Sequence, residues 1–598
     1  MIPLKHNFAY CILDSSGRMD SDMRESGFYF LDTRVLSQYK WSFAGFDCLH
    51  RVAADGRQLT EYWSRSRDHR QELAIRRQLR LSEGGFRDVL AISNTDHRFH
   101  RFQVDLALNS DFADMFEVRG QFADLDHRTV TCARGTHHYH GHYKATDDAE
   151  HDVRVHLTGA DFHDEVEIPP GKTIELVVEA TVSSSLPQGR LPLQLPEKWL
   201  GEAPDSESQG VYEQACADLS CLLLATDEGL TVAAGMPWFV TPFGRDAIIT
   251  AWFLLPRYPE LALGVLRFLG HHQGQHEDSF RDEQPGKILH EQRYGELSRT
   301  GCLPFQTYYG SADSTPLYLL LLADTVRRTG RDSLIGELRP HWEAGLNWMM
   351  KHRDERGLIV FRGNDRGLTI QSWKDSNDSL SYADGTLGQG ALAVAEVQGY
   401  AFAAFQAAAQ FYAHLGDQVQ ADNYLREAQL IRQRLHDWFW MPEHDNFAIA
   451  LDEQGRKLDV NSSDSGHLLW TGVVFEDKAA RLVPRMLRDD MWSGWGLRTL
   501  STEAHMYNPL SYHNGSVWPH DTALFAAGLK RYGFNAEFDR VTRSLVDLAS
   551  SQSDRRLPEL VGGYSRETHP PLPYLDACRP QAWSAAAMVY LLTAGEQT

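Results

Sequence analysis

The hydrophobic period of this chain changes near residue 211, and that change constrains the fold more than any other feature of the sequence. Before it, apolar residues alternate with polar ones: Phe102, Val104, Leu106 and Leu108 form one run, Val153, Val155 and Leu157 a second. Ile174, Leu176 and Val178 form a third, just after the turn signal Pro169-Pro170-Gly171-Lys172. Period-two alternation interrupted by Gly, Pro and Asp about every ten residues predicts an antiparallel β-sandwich over residues 1–190. A mixed α+β domain is the alternative, but few stretches here carry a helical period. Beyond residue 211 the apolar positions take helical spacing, in Ala/Leu-rich stretches at 316–329, 340–351, 390–415, 419–439, 522–532 and 535–551. Pro340 suits a first helical turn, where its missing N–H costs nothing.

Residues 183–208 are rich in Ser, Pro, Gly and Glu and read as a linker or surface strap, with 191–210 assigned to the linker itself. The remaining region, 211–598, holds 388 residues (598 − 210). Divided over twelve helices, that is about 32 residues per helix and loop, a length compatible with a double ring of helices. Periodicity alone also permits an α-solenoid, although no repeat of solenoid length is visible.

Composition narrows the function classes. Lys and Arg number 59 against 81 Asp and Glu, a net charge of −22, which argues against a protein that tracks nucleic-acid phosphates. No apolar run approaches the ~18–20 residues of a membrane span; the nearest, 247–255, is too short. The first ten residues lack a basic segment followed by an apolar one, so no signal peptide is expected. Seven scattered cysteines (Cys11, Cys48, Cys132, Cys216, Cys221, Cys302 and Cys578) form no Cys-x-x-Cys pair and fit free thiols in a reducing compartment. A cytoplasmic protein is expected. Aromatic residues make up 11% of the chain, and several Trp lie beside charged groups, which suits a ligand with both polar and apolar faces, such as a sugar.

Polar residues cluster where helical stretches begin, six times over. Pro237-Trp238-Phe239-Val240-Thr241-Pro242-Phe243-Gly244-Arg245-Asp246 precedes the apolar run at 247–255, and places a carboxylate where a helix dipole favours it. A second cluster spans 281–296; its His290-Glu291 lacks the second His of a zincin, because Tyr294 stands there. Tyr308-Tyr309-Gly310-Ser311-Ala312-Asp313 is the third. The fourth, Gln371-Ser372-Trp373-Lys374-Asp375-Ser376, sets an acid beside an aromatic wall, which raises a carboxyl pKa, and beside an ammonium, which lowers it. Tyr512-His513-Asn514-Gly515-Ser516-Val517-Trp518-Pro519-His520-Asp521 is the fifth. The sixth joins Leu557-Pro558-Glu559-Leu560 to Arg579-Pro580-Gln581-Ala582-Trp583-Ser584. Taken singly, each also fits a turn and a helix cap. The His-rich run at 137–142 reads as an exposed polar strand, since no carboxylate lies within it, and no metal is expected.

In this order the six clusters resemble the active-site loops of the amylo-α-1,6-glucosidase (glycogen debranching) family of glycoside hydrolases. More distantly they resemble the α-glucosidase family that includes mannosyl- and glucosylglycerate hydrolases. Gly27-Phe28-Tyr29-Phe30-Leu31-Asp32-Thr33-Arg34 and the stretch from Asp111 to Gly120 resemble segments of that family's N-terminal β-domain. The resemblance implies a β-sandwich at 1–190 followed by an (α/α)6 barrel at 211–598. It also implies that Asp375 is the general acid and Glu559, 184 residues further on (559 − 375), the general base. Asp246 and Arg245 would hold hydroxyls of the sugar whose bond is cleaved. Trp238, Trp373 and Trp518 would be sugar platforms, with His513, Asn514, Gln398 and Tyr400 as polar contacts. Phe243, Tyr309, Asp313, Lys374 and His520 complete the implied binding set.

The family inverts configuration, which needs two carboxyl groups about 6.5–9.5 Å apart with a water between one of them and the sugar. No cofactor is required. The substrate would be an oligosaccharide or a small glycoside, such as glucosylglycerate or a disaccharide. Ser372 replaces the Gly that relatives often carry in Gln-Gly-Trp, and is expected to narrow the entrance near Trp373. A second, glucanotransferase domain is not seen, so transfer of a short glucan stub is not implied. Rivals on the same scaffold are an α-L-rhamnosidase-like enzyme and an inverting phosphorylase; a non-catalytic glycan-binding protein is the rival of another class. Association state is not legible.

Overall fold

The computed structural model describes residues 1–20, 23–67, 70–121, 128–186, 199–203 and 205–594. Much of the linker assigned to 191–210 therefore lies outside the described residues. The N-terminal part is built of antiparallel sheets. The largest has eight strands in the order Val130–Arg134, His138–Lys144, Glu150–Thr158, Thr173–Ser184, Gly85–Asn94, Arg70–Ser82, Gln58–Arg67 and Asp47–Ala54. The three alternating runs seen in the sequence lie in strands, at His100–Asn109, Glu150–Thr158 and Thr173–Ser184. The expected turn before the third closes through Lys172 N–H donating to Pro169 O at 3.1 Å, with Gly171 in the left-handed region at φ +65°. A five-stranded sheet from Ile2–His6 to Ala113–Asp114 packs on the large one, with Phe28 meeting Phe86 edge-on at 5.2 Å.

The rest is mainly helical. Among the described residues it has twelve helices of eight or more residues: α1 (Gln209–Leu222), α2 (Gly244–Leu254), α3 (Pro259–His271), α4 (Ser314–Thr329), α5 (Arg339–Lys351), α6 (Ala395–His414), α7 (Gln418–Trp438), α8 (Asp464–Thr471), α9 (Glu476–Met486), α10 (Pro519–Arg531), α11 (Asn535–Ser551) and α12 (Ala582–Thr593). Helix α2 packs on α4, α4 on α6, α6 on α8, α8 on α10, α10 on α12, and α12 returns to α2. Helices α2, α8, α10 and α12 are buried almost all round, as members of an inner layer must be. Helices α7, α9 and α11 carry a single buried stripe and lie outside them.

One expected helix starts late. Residues 391–394 form a strand, Ala391–Val394, paired with Phe361–Arg362 on one side and Ala450–Leu451 on the other, and α6 begins only at Ala395. Gly390 at φ +77° turns the chain into that strand.

Polar groups fasten the two parts together close to the clustered loops. The buried Lys5 ammonium donates to Cys221 O at 3.2 Å and Leu223 O at 2.8 Å, and burial lowers its pKa to about 7. Glu296 accepts from Tyr143 O–H (2.6 Å), Thr146 N–H (2.9 Å) and Thr146 O–H (2.7 Å). Asp114 caps the short helix Met115–Val118 and also accepts from Leu297 N–H at 3.0 Å. A Cβ on Gly295 would lie 2.3 Å from Asp114 Oδ2, so this junction closes only over a glycine. Phe116 and Arg119 are thereby held against the helical part.

Candidate active site

The loops preceding α2 and α10, the loop at 371–376, and the segment at 557–560 converge on one cavity of about 530 Å3. Both Asp375 and Glu559 line it, with Arg245, Asp246, Trp373 and Trp518. Its aromatic walls come from Phe239, Phe243, Tyr512 and Trp583, and from Phe116 of the N-terminal part.

Asp375 is placed by the residues just before it. Trp373 Nε1 donates to Asp464 Oδ1 at 3.0 Å, and Lys374 Nζ pairs with Asp464 Oδ2 at 2.6 Å while donating to Thr499 O at 2.7 Å. Asp464, in the first turn of α8, thus grips two consecutive side chains and leaves the third to face the cavity. Arg245 Nη2 donates to Asp375 Oδ2 at 2.9 Å, and Arg245 Nη1 donates to Asp313 Oδ2 at 2.8 Å and Ser372 O at 3.0 Å. Burial raises the Asp375 pKa, and the opposing pull of Arg245 does not cancel it. Arg245 occupies Asp375 Oδ2, and Oδ1 accepts from no other side chain among the described residues, so a proton on this carboxyl belongs on Oδ1.

Glu559 sits on a short backbone exchange with Cys578. Its own N–H donates to Cys578 O at 2.9 Å, and Cys578 N–H donates to Glu559 Oε2 at 2.7 Å. Tyr512 O–H donates to Oε1, also at 2.7 Å. Burial pushes the Glu559 carboxyl up to about 7 against these two donors. Asp246, in the first turn of α2, is likewise raised to about 7 by burial, with Arg245 opposing. The Gln581 amide bears on that proton. Oriented to donate to Ala234 O (2.9 Å) and accept from Trp583 Nε1 (3.2 Å), it satisfies both its ends. Its oxygen then faces Asp246 Oδ1 at 3.4 Å, a contact that favours a protonated carboxyl. Helix α2 is seated by a close approach: a Cβ on Gly244 would lie 2.1 Å from Leu289 O, and Gly244 N–H donates to His290 O at 2.8 Å.

Of the residues implied by the resemblance, Phe243, Arg245, Asp246, Trp373, Asp375, His513, Trp518 and Glu559 line the cavity. Ser376 O–H and His513 Nδ1 are 2.7 Å apart, and burial holds the His513 imidazole neutral, well below its usual pKa. The others lie behind the wall. Lys374 is turned to Asp464, and Asp313 supports Arg245 from beneath. Gln398 exchanges hydrogen bonds with Ile359, and Tyr400 contacts His467. Tyr309 O–H donates to His272 O, and Asn514 Nδ2 to Asp378 O. Trp238 is covered by the guanidinium groups of Arg24 and Arg119, and His520 stacks on Trp583 at 3.6 Å. Ser372 is also buried and does not line the cavity; its carbonyl accepts from Arg245.

The sequence reading passed over three residues whose roles depend on tertiary contact. Tyr512 is the donor to Glu559, Asp464 the anchor of the 373–375 loop, and Arg119 a cation brought in from the N-terminal part. Tyr512 and Arg119 both lie inside the motifs quoted above, so their presence was visible though their contacts were not. Arg293, also on the wall, is occupied by Glu291 at 2.7 Å and Trp238 O at 2.9 Å. Arg119, by contrast, makes no ion pair among the described residues. Groups of three side chains close enough to share a metal ion, among the described residues, lie in the N-terminal sheets rather than in this cavity.

Residues 4–179 match the N-terminal domain of (some) glycogen debranching enzymes. Residues 310–568, which include Asp375 and Glu559, match a mannosylglycerate hydrolase MGH1-like glycoside hydrolase domain. No curated protein matches the chain.

Proposed function

We propose that this chain, a glycoside hydrolase of the debranching-enzyme-like family by its two matched domains, cleaves an α-glucosidic bond with inversion. In this reading Asp375 Oδ1 donates its proton to the glycosidic oxygen as the bond to the anomeric carbon breaks. Glu559 takes a proton from the water that attacks that carbon from the other side. Arg245 orients Asp375 and Asp246 hydrogen-bonds a sugar hydroxyl, while Trp373 and Trp518, backed by His467 and His513, line the wall beside the ring. The observation that carries the reading is the pair of carboxyl groups, Glu559 buried and Asp375 a quarter exposed, 184 residues apart in sequence (559 − 375), on one aromatic-walled cavity. Burial raises both pKa values, as an acid that must hold its proton and a base poised near neutrality require. The closed circuit α2–α4–α6–α8–α10–α12, with six further helices outside it, supports reading residues 211–598 as an (α/α)6 barrel and 1–190 as its companion domain.

A second reading concerns the substrate. Arg119 at the cavity wall, without an ion-pair partner among the described residues, favours a small glycoside whose aglycone carries a carboxylate, such as glucosylglycerate, over a neutral glucan branch. Sugar release from panose, isomaltose, limit dextrin and glucosylglycerate tests both readings at once. Release from any of them that is abolished in Asp375→Asn supports the hydrolase, and the preferred substrate chooses between the two aglycones. No release from any of them, or an Asp375→Asn variant as active as the parent, refutes it.

A further inference from the structure

The His-rich run, read from the sequence as an exposed polar strand, forms a strand whose His138 is exposed and whose neighbour brings in a further histidine. His138 opens the strand His138–Lys144 and stands directly opposite His156 on the neighbouring strand Glu150–Thr158. His137, one residue earlier, is fixed by its backbone: Leu157 N–H donates to His137 O at 2.9 Å, and Gly135 N–H donates to His138 O at 2.7 Å. The three imidazoles gather as a result. Ring centres lie 4.3 Å apart for His137 and His138, 5.5 Å for His137 and His156, and 6.1 Å for His138 and His156. One ring nitrogen from each falls within 4.8 Å of the other two.

We propose that His137, His138 and His156 form a binding site for a borderline divalent transition-metal ion, of which Zn2+ is the probe. Three neutral imidazoles suit Zn2+, Ni2+ and Cu2+ and do not suit Mg2+ or Ca2+, which take oxygen ligands. Nitrogen donors on a tetrahedral zinc stand about 3.3 Å apart, so each imidazole must move inward by under about 1 Å, which side-chain rotation supplies. His138 and His156 are exposed and His137 is half-buried, so no packing opposes that motion. The carboxylate missing from the run comes from elsewhere: Asp161 Oδ1 lies 3.4 Å from His137 Nδ1, and Thr136 Oγ1 lies 3.1 Å from the same nitrogen. Such a partner fixes the ring of a ligating histidine and directs its other nitrogen, Nε2, to the ion. Water completes the coordination. The site lies in the N-terminal sheets, away from the cavity, and rests on no assumption about the reaction.

Calorimetric titration of the tag-free, full-length chain with Zn2+ tests the site. One bound ion per chain is expected, with affinity reduced at least tenfold in His138→Ala and in His156→Ala and little changed in His142→Ala. The apo variants should melt at the parent's temperature, because the replaced rings are exposed. Absence of binding overturns the proposal, as does unchanged affinity in the triple variant His137→Ala/His138→Ala/His156→Ala. Binding that instead disappears in Glu72→Gln/His100→Ala overturns it too, by moving the ion to the other group of potential ligands, Glu72, Asp96 and His100.

Discussion

Replacing Glu559 with glutamine should separate the two consequences of its burial. In the folded chain this carboxyl holds its proton to about 7, against 4.5 for the free side chain. Below 4.5 both folded and unfolded chains are protonated there, and burial carries no ionic penalty. As pH rises the unfolded chain releases its proton first, so stability falls, and above about 7 the full penalty of roughly 3 kcal/mol is present. Glutamine has no charge to bury. Its Oε1 can still accept from Cys578 N–H, and its amide can donate to the Tyr512 hydroxyl, which turns from donor to acceptor. Any fixed cost of the swap is the same at every pH and cancels in the comparison. The stability of Glu559→Gln relative to the parent should therefore rise by about 2 to 3 kcal/mol between pH 5 and pH 8. The assay is thermal unfolding of both proteins at the two pH values, with sugar release measured alongside. Turnover should fall by about 10²–10⁴-fold, the usual contribution of a general base. A stability difference that does not change with pH would refute the burial argument. Turnover within a few-fold of the parent would refute the assignment of the base.

Other expectations follow from the same contacts. The acid limb of kcat/KM on an uncharged substrate should fall about tenfold per pH unit below about 7, as Glu559 gains the proton it must lose to act as base; a profile flat down to pH 5 would contradict it. Asp464→Asn should leave Lys374 buried without its ion pair, destabilising the chain by about 3 kcal/mol and lowering kcat through a loosened 373–375 loop. The added change Lys374→Met should restore the melting temperature, and its failure to do so would remove the ion pair from the explanation. Arg119→Ala should lower kcat/KM about 10–100-fold for a glycoside with a carboxylate aglycone and leave a neutral one nearly unchanged. Equal losses on both substrates would make Arg119 structural.

The sequence exposed the β-rich part because each strand with one buried face repeats every two residues, as in Glu150–Thr158, where Val153, Val155 and Leu157 face inward. Outer helices such as α7 and α11 were legible for the same reason at the helical period. Helix α12 was not, because Ala582–Thr593 is apolar on nearly every face and so has no period to detect. Strand 391–394 was absorbed into the helix that follows it, since four apolar residues fit either period. At the site, motif order brought forward Asp375, Glu559, Arg245 and Asp246, and all four meet at one cavity. The same motifs could not distinguish a side chain facing the cavity from one supporting it. Lys374 and Asp313 carry charges that would suit a ligand, yet each is spent on a buried partner brought from far along the chain, Asp464 and Arg245. Such pairings depend on which helices become neighbours, and that is settled by packing across the whole molecule. Residues 137, 138 and 156 illustrate the same limit, because the third imidazole arrives only through strand register.

The division of labour between Asp375 and Glu559 is tested most directly by the anomeric form of the first sugar released. Proton NMR during the first minutes of hydrolysis, before mutarotation, should show β-glucose appearing from an α-glucoside and α-glucose growing in only later. Initial appearance of α-glucose would mean retention through a covalent intermediate, and would contradict the roles assigned to both carboxyl groups.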